Sequence, residues 1–114
     1  MTIIDDIEAE SFEDKVKAVD ALAVLEFWIR SCSQCKKFKP VYEKLPDIFG
    51  EDVRFLRMNM LKSIENLRLA EGLGVGETPT VKFFCEGKEV GEIVGYIPLD
   101  DAVEVIKTML GNCS

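Results

Sequence analysis

Two cysteines three positions apart, Cys32 and Cys35, carry the clearest chemistry in this sequence. They follow an apolar run that contains Phe27-Trp28 and precede a helical pattern, which puts both in the first turn of a helix. The N-terminus of a helix presents unpaired N–H groups and partial positive charge, and both favour a thiolate. A thiolate is the nucleophile of thiol–disulfide exchange, and a second thiol one turn further on can resolve the mixed disulfide. The pair therefore predicts a redox-active dithiol.

Alternative interpretations of the pair are two small core residues or half of a zinc site. A zinc knuckle needs two more ligands nearby, whereas Cys85 and Cys113 lie at distant, irregular spacing and the chain has no histidine. The lack of histidine also excludes His-based acid–base catalysis and His metal ligands. Redox chemistry is therefore favoured, and no metal site is predicted.

The other two cysteines are interpreted as free thiols, because disulfide frameworks are rare in cytosolic proteins. Cys85 ends a predicted strand that starts at Pro79, which places it roughly 20 Å from the dithiol at about 3.3 Å per residue. Cys113 belongs to a C-terminal segment in which a mobile thiol is expected. Neither residue is predicted to take part in catalysis.

The composition indicates one soluble globular domain over residues 1–114, with 47% hydrophobic and 31% charged residues. A net charge of −7 disfavours nucleic acid and anionic membranes as partners, since both attract clustered Lys and Arg. The N-terminal residues lack the basic start and unbroken apolar core of a signal peptide. The longest apolar run, Ala21 to Ile29, is too short to span a bilayer. We therefore expect a cytoplasmic protein.

Hydrophobic periodicity and capping residues predict an alternation of strands and helices that ends in a hairpin. Such an order indicates an α/β fold with a mixed sheet flanked by helices. The predicted elements are a short strand Thr2 to Ile4, a helix capped at Ser11, a strand Ala21 to Ile29, a helix from Cys32 to Gly50 with a Ser31/Gln34 capping box and a kink at Pro40, a strand Val53 to Asn59, a helix from Ser63 to Gly72, strands Thr80 to Cys85 and Glu89 to Val94, and a helix from Asp100 or Asp101 to Gly111.

An ordered set of motifs resembles the thioredoxin family over nearly the whole chain. The matching motifs are Phe27-Trp28, Cys32-x-x-Cys35-Lys36, Pro40, Thr78-Pro79-Thr80, Gly87 and Gly95. The resemblance implies a thioredoxin fold, in which a mixed central sheet of four to five strands is flanked by about four helices. It also implies that Cys32 is the attacking thiol and Cys35 the resolving one.

The resemblance assigns further roles around the dithiol. Glu26 stands where the family has a buried Asp and would accept a proton from Cys35, with Arg57 as its partner. Burial would raise the pKa of Glu26, whereas strand alternation leaves a solvent-facing Glu26 as the other interpretation. Trp28 would pack beside the dithiol.

The substrate-binding role falls to the loop that precedes the hairpin. Pro79 is either an ordinary turn proline or, by the resemblance, a cis-proline that holds Thr78 where its backbone can pair with a substrate backbone. Gly95 matches the glycine that follows the last strand of the family.

Five positions depart from the residues usual in the family. Ser31 replaces a Trp, Ser33-Gln34 replaces Gly-Pro, Glu26 replaces an Asp and Arg57 replaces a Lys. The changes bear on the redox potential and on the choice of partner.

The function implied by the resemblance is a cytosolic protein disulfide reductase that cycles between dithiol and disulfide. It would need no cofactor beyond its redox-active cysteines, would act as a monomer on disulfide-containing proteins, and would receive electrons from a thioredoxin reductase linked to NADPH or ferredoxin. A thioredoxin-like disulfide oxidant or isomerase is the first alternative. A thioredoxin-fold binding module without turnover is the second.

Overall fold

A five-stranded mixed sheet forms the centre of the computed structural model, which describes residues 3–113. The strands are β1 (Asp5–Asp6), β2 (Leu22–Trp28), β3 (Val53–Asn59), β4 (Thr80–Cys85) and β5 (Lys88–Val94), and the α-helices are α1 (Ser33–Phe49), α2 (Ile64–Gly72) and α3 (Leu99–Asn112). A 3-10 turn Ala9–Ser11 and a π-helical segment Glu13–Lys17 join β1 to β2, and a 3-10 turn Gly50–Asp52 joins α1 to β3. The predicted class, a mixed sheet of four to five strands with about four helices, is confirmed.

The sheet order is β1-β3-β2-β4-β5, with β1, β3 and β2 parallel and β4 and β5 antiparallel to their neighbours. Central β2 is buried on both faces, and its side chains alternate between two apolar clusters. Ala23, Leu25 and Phe27 face one cluster, while Leu22 and Val24 face the other. Packing on both faces fixes the end of β2, from which the chain passes directly to the dithiol.

Two strands and one helix begin where the sequence predicts. Strands β3 and β4 match to the residue, and α2 begins after Ser63, whose Oγ accepts a hydrogen bond from the backbone N–H of Asn66 at 3.1 Å. The hairpin turn at Glu86-Gly87 also lies where it was predicted, with both residues at positive φ. Local patterns therefore determine these elements.

Several predicted bounds are wrong. The first strand is Asp5–Asp6, not Thr2 to Ile4; Ile3 and Ile4 lie outside any strand, and Thr2 falls outside the described residues. The segment after Ser11 is π-helical and has no side-chain cap. Helix α3 begins at Leu99 after Pro98 and continues through Gly111 to Asn112, because its apolar side chains pack on the sheet up to Leu110.

The prediction that Cys85 and Cys113 are free thiols is also wrong. The two residues form a disulfide with their Cα atoms 5.6 Å apart. Cys85 ends β4 and Cys113 caps the C-terminus of α3, which runs back across the sheet to that end of the strand. Their separation of 28 positions in the chain gives no sign of this return.

Candidate active site

Cys32 is the N-cap of α1 and is joined to Cys35 by a disulfide. Its Sγ accepts a hydrogen bond from the backbone N–H of Cys35 at 3.0 Å. The predicted Ser31/Gln34 capping box is therefore wrong, because sulfur rather than the Ser31 hydroxyl takes the cap position. Because Cys32 is the N-cap, its Sγ lies at the positive end of α1, and the backbone N–H of Cys35 points directly at it. Both effects stabilise a thiolate on Cys32 after reduction.

The two sulfurs differ in accessibility. Cys35 is only 5% exposed, whereas Cys32 is partly exposed and is flanked by the exposed residues Ser31 and Ser33. An incoming disulfide can therefore reach Cys32 while Cys35 stays behind it. This difference in exposure favours Cys32 as the attacking thiol, and the assignment of the two roles stays a prediction.

The loop before β4 lies against Cys32. The Sγ of Cys32 is 3.3 Å from the carbonyl oxygen of Thr78, and the Thr78–Pro79 peptide bond is cis. The backbone N–H of Gly95 donates to the carbonyl of Pro79 at 2.8 Å, and the Thr80 hydroxyl donates to the carbonyl of Glu77 at 2.7 Å. Bonds on both sides therefore hold the Thr78 backbone beside the sulfur, where the resemblance places a substrate contact.

Gln34, the second residue between the cysteines, connects α1 to the loop after β5. Its Oε1 accepts a hydrogen bond from the backbone N–H of Tyr96 at 3.1 Å. Gly95 has φ of +85°, and a Cβ there would lie 3.2 Å from the same oxygen. The ammonium of Lys37 lies 4.3 Å from the centre of the Tyr96 ring. Sequence reasoning missed the hydrogen bond between Gln34 and Tyr96, because the two residues are 62 positions apart and share no motif.

Glu26 lies on β2 and is fully buried, which excludes the solvent-facing interpretation. Its Oε1 is 3.5 Å from Nη2 of Arg57, but neither carboxyl oxygen accepts a hydrogen bond from the residues that the structure describes. Burial raises the pKa of Glu26 to about 7; Arg57 opposes the rise, and Glu43 and Asp6 add to it. A group with this pKa can take up and release a proton near neutral pH.

Arg57 pairs in register with Glu26 across β2 and β3. Its Nη1 lies 3.6 Å from Oε2 of Glu43 on α1, and its guanidinium is 5.3 Å from the centre of the Trp28 ring. One cation therefore contacts a buried acid, an exposed acid and the aromatic side chain before the dithiol. Glu43 was not singled out in the sequence, since only the packing of α1 on β3 brings it to Arg57.

A cleft of about 330 Å³ connects Arg57 and Trp28 to Cys35 of the dithiol. Its lining includes Cys35, Trp28 and Arg57 together with three exposed cations, Arg30, Lys36 and Lys39. Water occupies about 30 Å³ per molecule in the liquid, so a cleft of this size can hold several. The buried face of Cys35 therefore opens on the same space as the partner of Glu26.

Within residues 3–113, no group of three or more Cys, Asp or Glu side chains is arranged to hold a metal ion. Over the same range, none of the helices is long and apolar enough to cross a bilayer.

Comparison with known proteins identifies the family. A family model described as Thioredoxin matches residues 4–108. The thioredoxin of Malassezia sympodialis is 31% identical over 96 residues, covering 81% of this chain and 89% of that protein. The protein disulfide isomerase-like 2-1 of Oryza sativa subsp. japonica is 35% identical over 104 residues, which are 90% of this chain and 28% of the rice protein.

A solved structure agrees with both sequence matches. The crystal structure of thioredoxin F from spinach chloroplast, in its short form, has a TM-score of 0.82 and 34% identity and covers 93% of this chain and 92% of that one. The likeness includes the mixed sheet, and in this chain a disulfide stands at the N-terminus of the helix after the central strand. Together these matches show that the chain belongs to the thioredoxin family and is a thiol–disulfide oxidoreductase.

Proposed function

We propose that this protein is a cytosolic reductase of protein disulfides that acts through Cys32 and Cys35. The observation that carries the proposal is the position of Cys32 Sγ. It lies at the N-terminus of α1, is partly exposed, receives an N–H bond from Cys35, and is 3.3 Å from the Thr78 carbonyl. The arrangement supplies a stabilised thiolate next to a backbone on which a substrate strand can align.

The first chemical step is attack by the Cys32 thiolate on a substrate disulfide. The new bond joins Cys32 to one substrate sulfur, and the other substrate sulfur leaves as a thiolate and takes up a proton. Cys35 then loses its proton, attacks Cys32 Sγ and releases the second substrate thiol. The product on this chain is the Cys32–Cys35 disulfide, which is the state in the structure.

Glu26 is the proposed acceptor of the proton that Cys35 loses. Its pKa of about 7 lets it be ionised for part of the time at neutral pH, and the cleft beside Arg57 reaches Cys35. A water molecule in that cleft can accept the proton beside Cys35, and Arg57, which lines the same cleft, lies 3.5 Å from the carboxyl group. Arg57 positions the carboxyl group and limits how far burial raises its pKa.

The favoured direction of electron transfer, set by the reduction potential of the dithiol, distinguishes a reductase from an oxidant or isomerase. Ser33 and Gln34 carry no charge, so the helix terminus and the Cys35 N–H are the main stabilisers of the thiolate. We therefore expect a reducing potential on the order of −230 to −290 mV. Equilibration with glutathione or dithiothreitol buffers, followed through Trp28 fluorescence, measures it. A value above about −180 mV would reject the reductase assignment.

The likeness to the rice protein disulfide isomerase-like protein favours isomerase activity as the second candidate. Recovery of activity by scrambled ribonuclease distinguishes isomerisation, whereas precipitation of insulin chains reports net reduction. Absence of turnover in both assays would instead indicate the binding module without catalysis.

The proposed partners are disulfide-containing proteins and a thioredoxin reductase that draws electrons from NADPH or ferredoxin, with this chain acting as a monomer. Cys35→Ser should retain partners as mixed disulfides through Cys32, and dithiothreitol should release them. The matched control is Cys32→Ser, which lacks the attacking thiol and should retain none. Equal recovery with both variants would show that capture does not depend on Cys32.

A further inference from the structure

The second disulfide lies at the opposite end of β4 from the dithiol. The carbonyl oxygen of Thr78 lies beside Cys32, whereas Cys85 is seven residues beyond Thr78 and six beyond Pro79. At about 3.3 Å per residue, the strand separates the two disulfides by roughly 20 Å. Sulfur exchange needs contact between sulfur atoms, so the Cys32–Cys35 dithiol cannot reduce Cys85–Cys113 within one molecule.

Half-buried apolar contacts and the disulfide hold the C-terminal end of α3 to the sheet. Ala102 and Ile106 are the buried residues of the helix, and none of the residues from 107 to 113 is buried. Met109 packs over Gly91, where a Cβ would lie 2.5 Å from its methyl group. Gly111 stands inside the last turn, where glycine lowers helix stability relative to alanine. The disulfide therefore adds a covalent constraint to a turn that none of its side chains anchors by full burial.

The chemical surroundings of the second pair differ from those of the first. Both cysteines are partly exposed, so a small thiol can reach them. Cys113 is the C-cap of α3, and Cys85 Sγ lies 3.5 Å from the Cys113 carbonyl oxygen. The C-terminus of a helix carries partial negative charge, which disfavours a thiolate leaving group there. Exchange at this pair should therefore be slow but sterically open.

We propose that Cys85 and Cys113 are a second redox site, which small thiols and disulfides interconvert and which fixes or frees the C-terminal turn of α3. Reduction takes two thiols of a reductant such as glutathione. Their two electrons and two protons convert the Cys85–Cys113 bond into two cysteine thiols, and the reductant becomes one disulfide. The reverse reaction closes the bond and returns two thiols of glutathione. In the reduced state Met109 and Gly111 no longer have a covalent anchor beyond them.

The test uses the full chain with Cys32→Ser and Cys35→Ser, so the result does not depend on the proposed reductase activity. This variant is equilibrated for hours in glutathione buffers from oxidising to reducing, and free thiols are counted by alkylation and mass spectrometry. We expect the count to rise reversibly from none to two. A pair that stays closed in the most reducing glutathione buffer overturns the redox site.

Amide hydrogen exchange of residues 107–113, measured on the same samples, tests the effect on α3. We expect exchange at least about tenfold faster in the reduced state, and a Tm lower by about 5 °C or more. If both cysteines are reduced and amide exchange of residues 107–113 is unchanged, the disulfide does not determine the stability of the C-terminal turn of α3, and that part of the proposal is wrong.

Two variants in the same background sharpen the assignment. Cys85→Ser with Cys113→Ser should exchange rapidly in every buffer and should not respond to glutathione. Gly111→Ala should slow exchange in the reduced state, because a methyl group there meets open space and alanine favours the helix. A glutathione response that persists in the double serine variant would assign the effect to another group and overturn the proposal.

Discussion

The two disulfides of this protein occupy opposite ends of helices. Cys32 is the N-cap of α1, where an N–H bond and the helix dipole stabilise a thiolate. Cys113 is the C-cap of α3, where the negative end of the helix dipole destabilises one. The helix end at Cys32 therefore favours a thiolate that can attack or leave in disulfide exchange, whereas the helix end at Cys113 disfavours such a thiolate.

The surroundings of the two disulfides differ as well. Cys35 lines a cleft together with the cation Arg57, and Arg57 contacts the buried carboxyl of Glu26, whose pKa is about 7. Beside Cys85 and Cys113 lie the apolar contacts of α3 on the sheet. Catalysis at a disulfide needs a stabilised leaving thiolate and a route for the proton, and the proposed function assigns both to the end of β4 beside Cys32. The other end has the geometry of an anchor.

The largest effect in this comparison is expected from Cys32→Ser. Loss of the attacking sulfur should reduce insulin reduction to the uncatalysed rate, because no thiolate remains at the helix N-terminus. Replacement of both distant cysteines, Cys85→Ala with Cys113→Ala, should leave the rate unchanged while lowering Tm. Turbidity of insulin and a thermal melt measure both quantities. Loss of activity in the alanine pair would show that the two ends of β4 are coupled.

The second expected effect is that of Glu26→Gln. The variant keeps the volume of the side chain but removes the titrating group, so resolution by Cys35 should slow severalfold at neutral pH. Single-turnover reduction followed from pH 6 to 9 measures it. Kinetics that match the wild type across this range would assign Glu26 a structural role only.

The same variant should change the pH dependence of stability. Because the pKa of Glu26 is raised from 4.5 to about 7, the folded state binds a proton that the unfolded state has lost. The free energy of unfolding contributed by this group therefore falls as pH rises from about 4.5 to 7 and then levels off. Glu26→Gln should gain stability over wild type across that window, by up to about 3 kcal/mol at roughly 1.4 kcal/mol per pKa unit. Urea unfolding at pH 5 and pH 8 checks the sign.

A smaller effect is expected from Gly91→Ala at the anchored end. The new Cβ would meet the Sδ and methyl of Met109, a flexible side chain that can move aside, so the loss should be about 1 kcal/mol. Gly91→Ala with Met109→Ala removes the clash but also a half-buried side chain, and it separates overlap from lost packing. Insulin reduction should be unchanged in both variants, and a fall would contradict the independence of the two ends.

Local patterns in the sequence predict much of the fold. Ser63 marks the start of α2, and alternating apolar residues mark β3 and β4 to the residue. The edge strand β1 is not predicted from the sequence, because it has only two residues and no apolar pattern of its own. It forms by backbone pairing with Leu56 and Arg57. Cys32 as the N-cap escapes because a serine precedes it, and serine is the commoner cap.

Contacts made only after folding cannot be read from local patterns. The Cys85–Cys113 bond depends on α3 crossing the sheet, and the bond from Tyr96 to Gln34 joins loops that are 62 positions apart. Glu26 and Arg57 were paired from the family resemblance, and the register of β2 with β3 places them side by side. The role of Glu43 follows from its position on α1, which no sequence spacing to Arg57 indicates.

The smallest effect is expected from Gln34→Ala, which removes the contact between α1 and the loop after β5. Since the bond to Tyr96 N–H is exposed, water can replace Gln34 and stability should fall by about 0.5 kcal/mol or less. The positive-φ Gly95 and its bond to Pro79 would then lose a neighbour that limits their motion. We expect KM for a protein disulfide to rise a few fold with kcat retained, because the sulfur chemistry at Cys32 is untouched. Ser33→Ala, an adjacent exposed residue, is the matched control, and an equal rise in KM there would assign the effect to loss of polarity between the cysteines rather than to the bond with Tyr96.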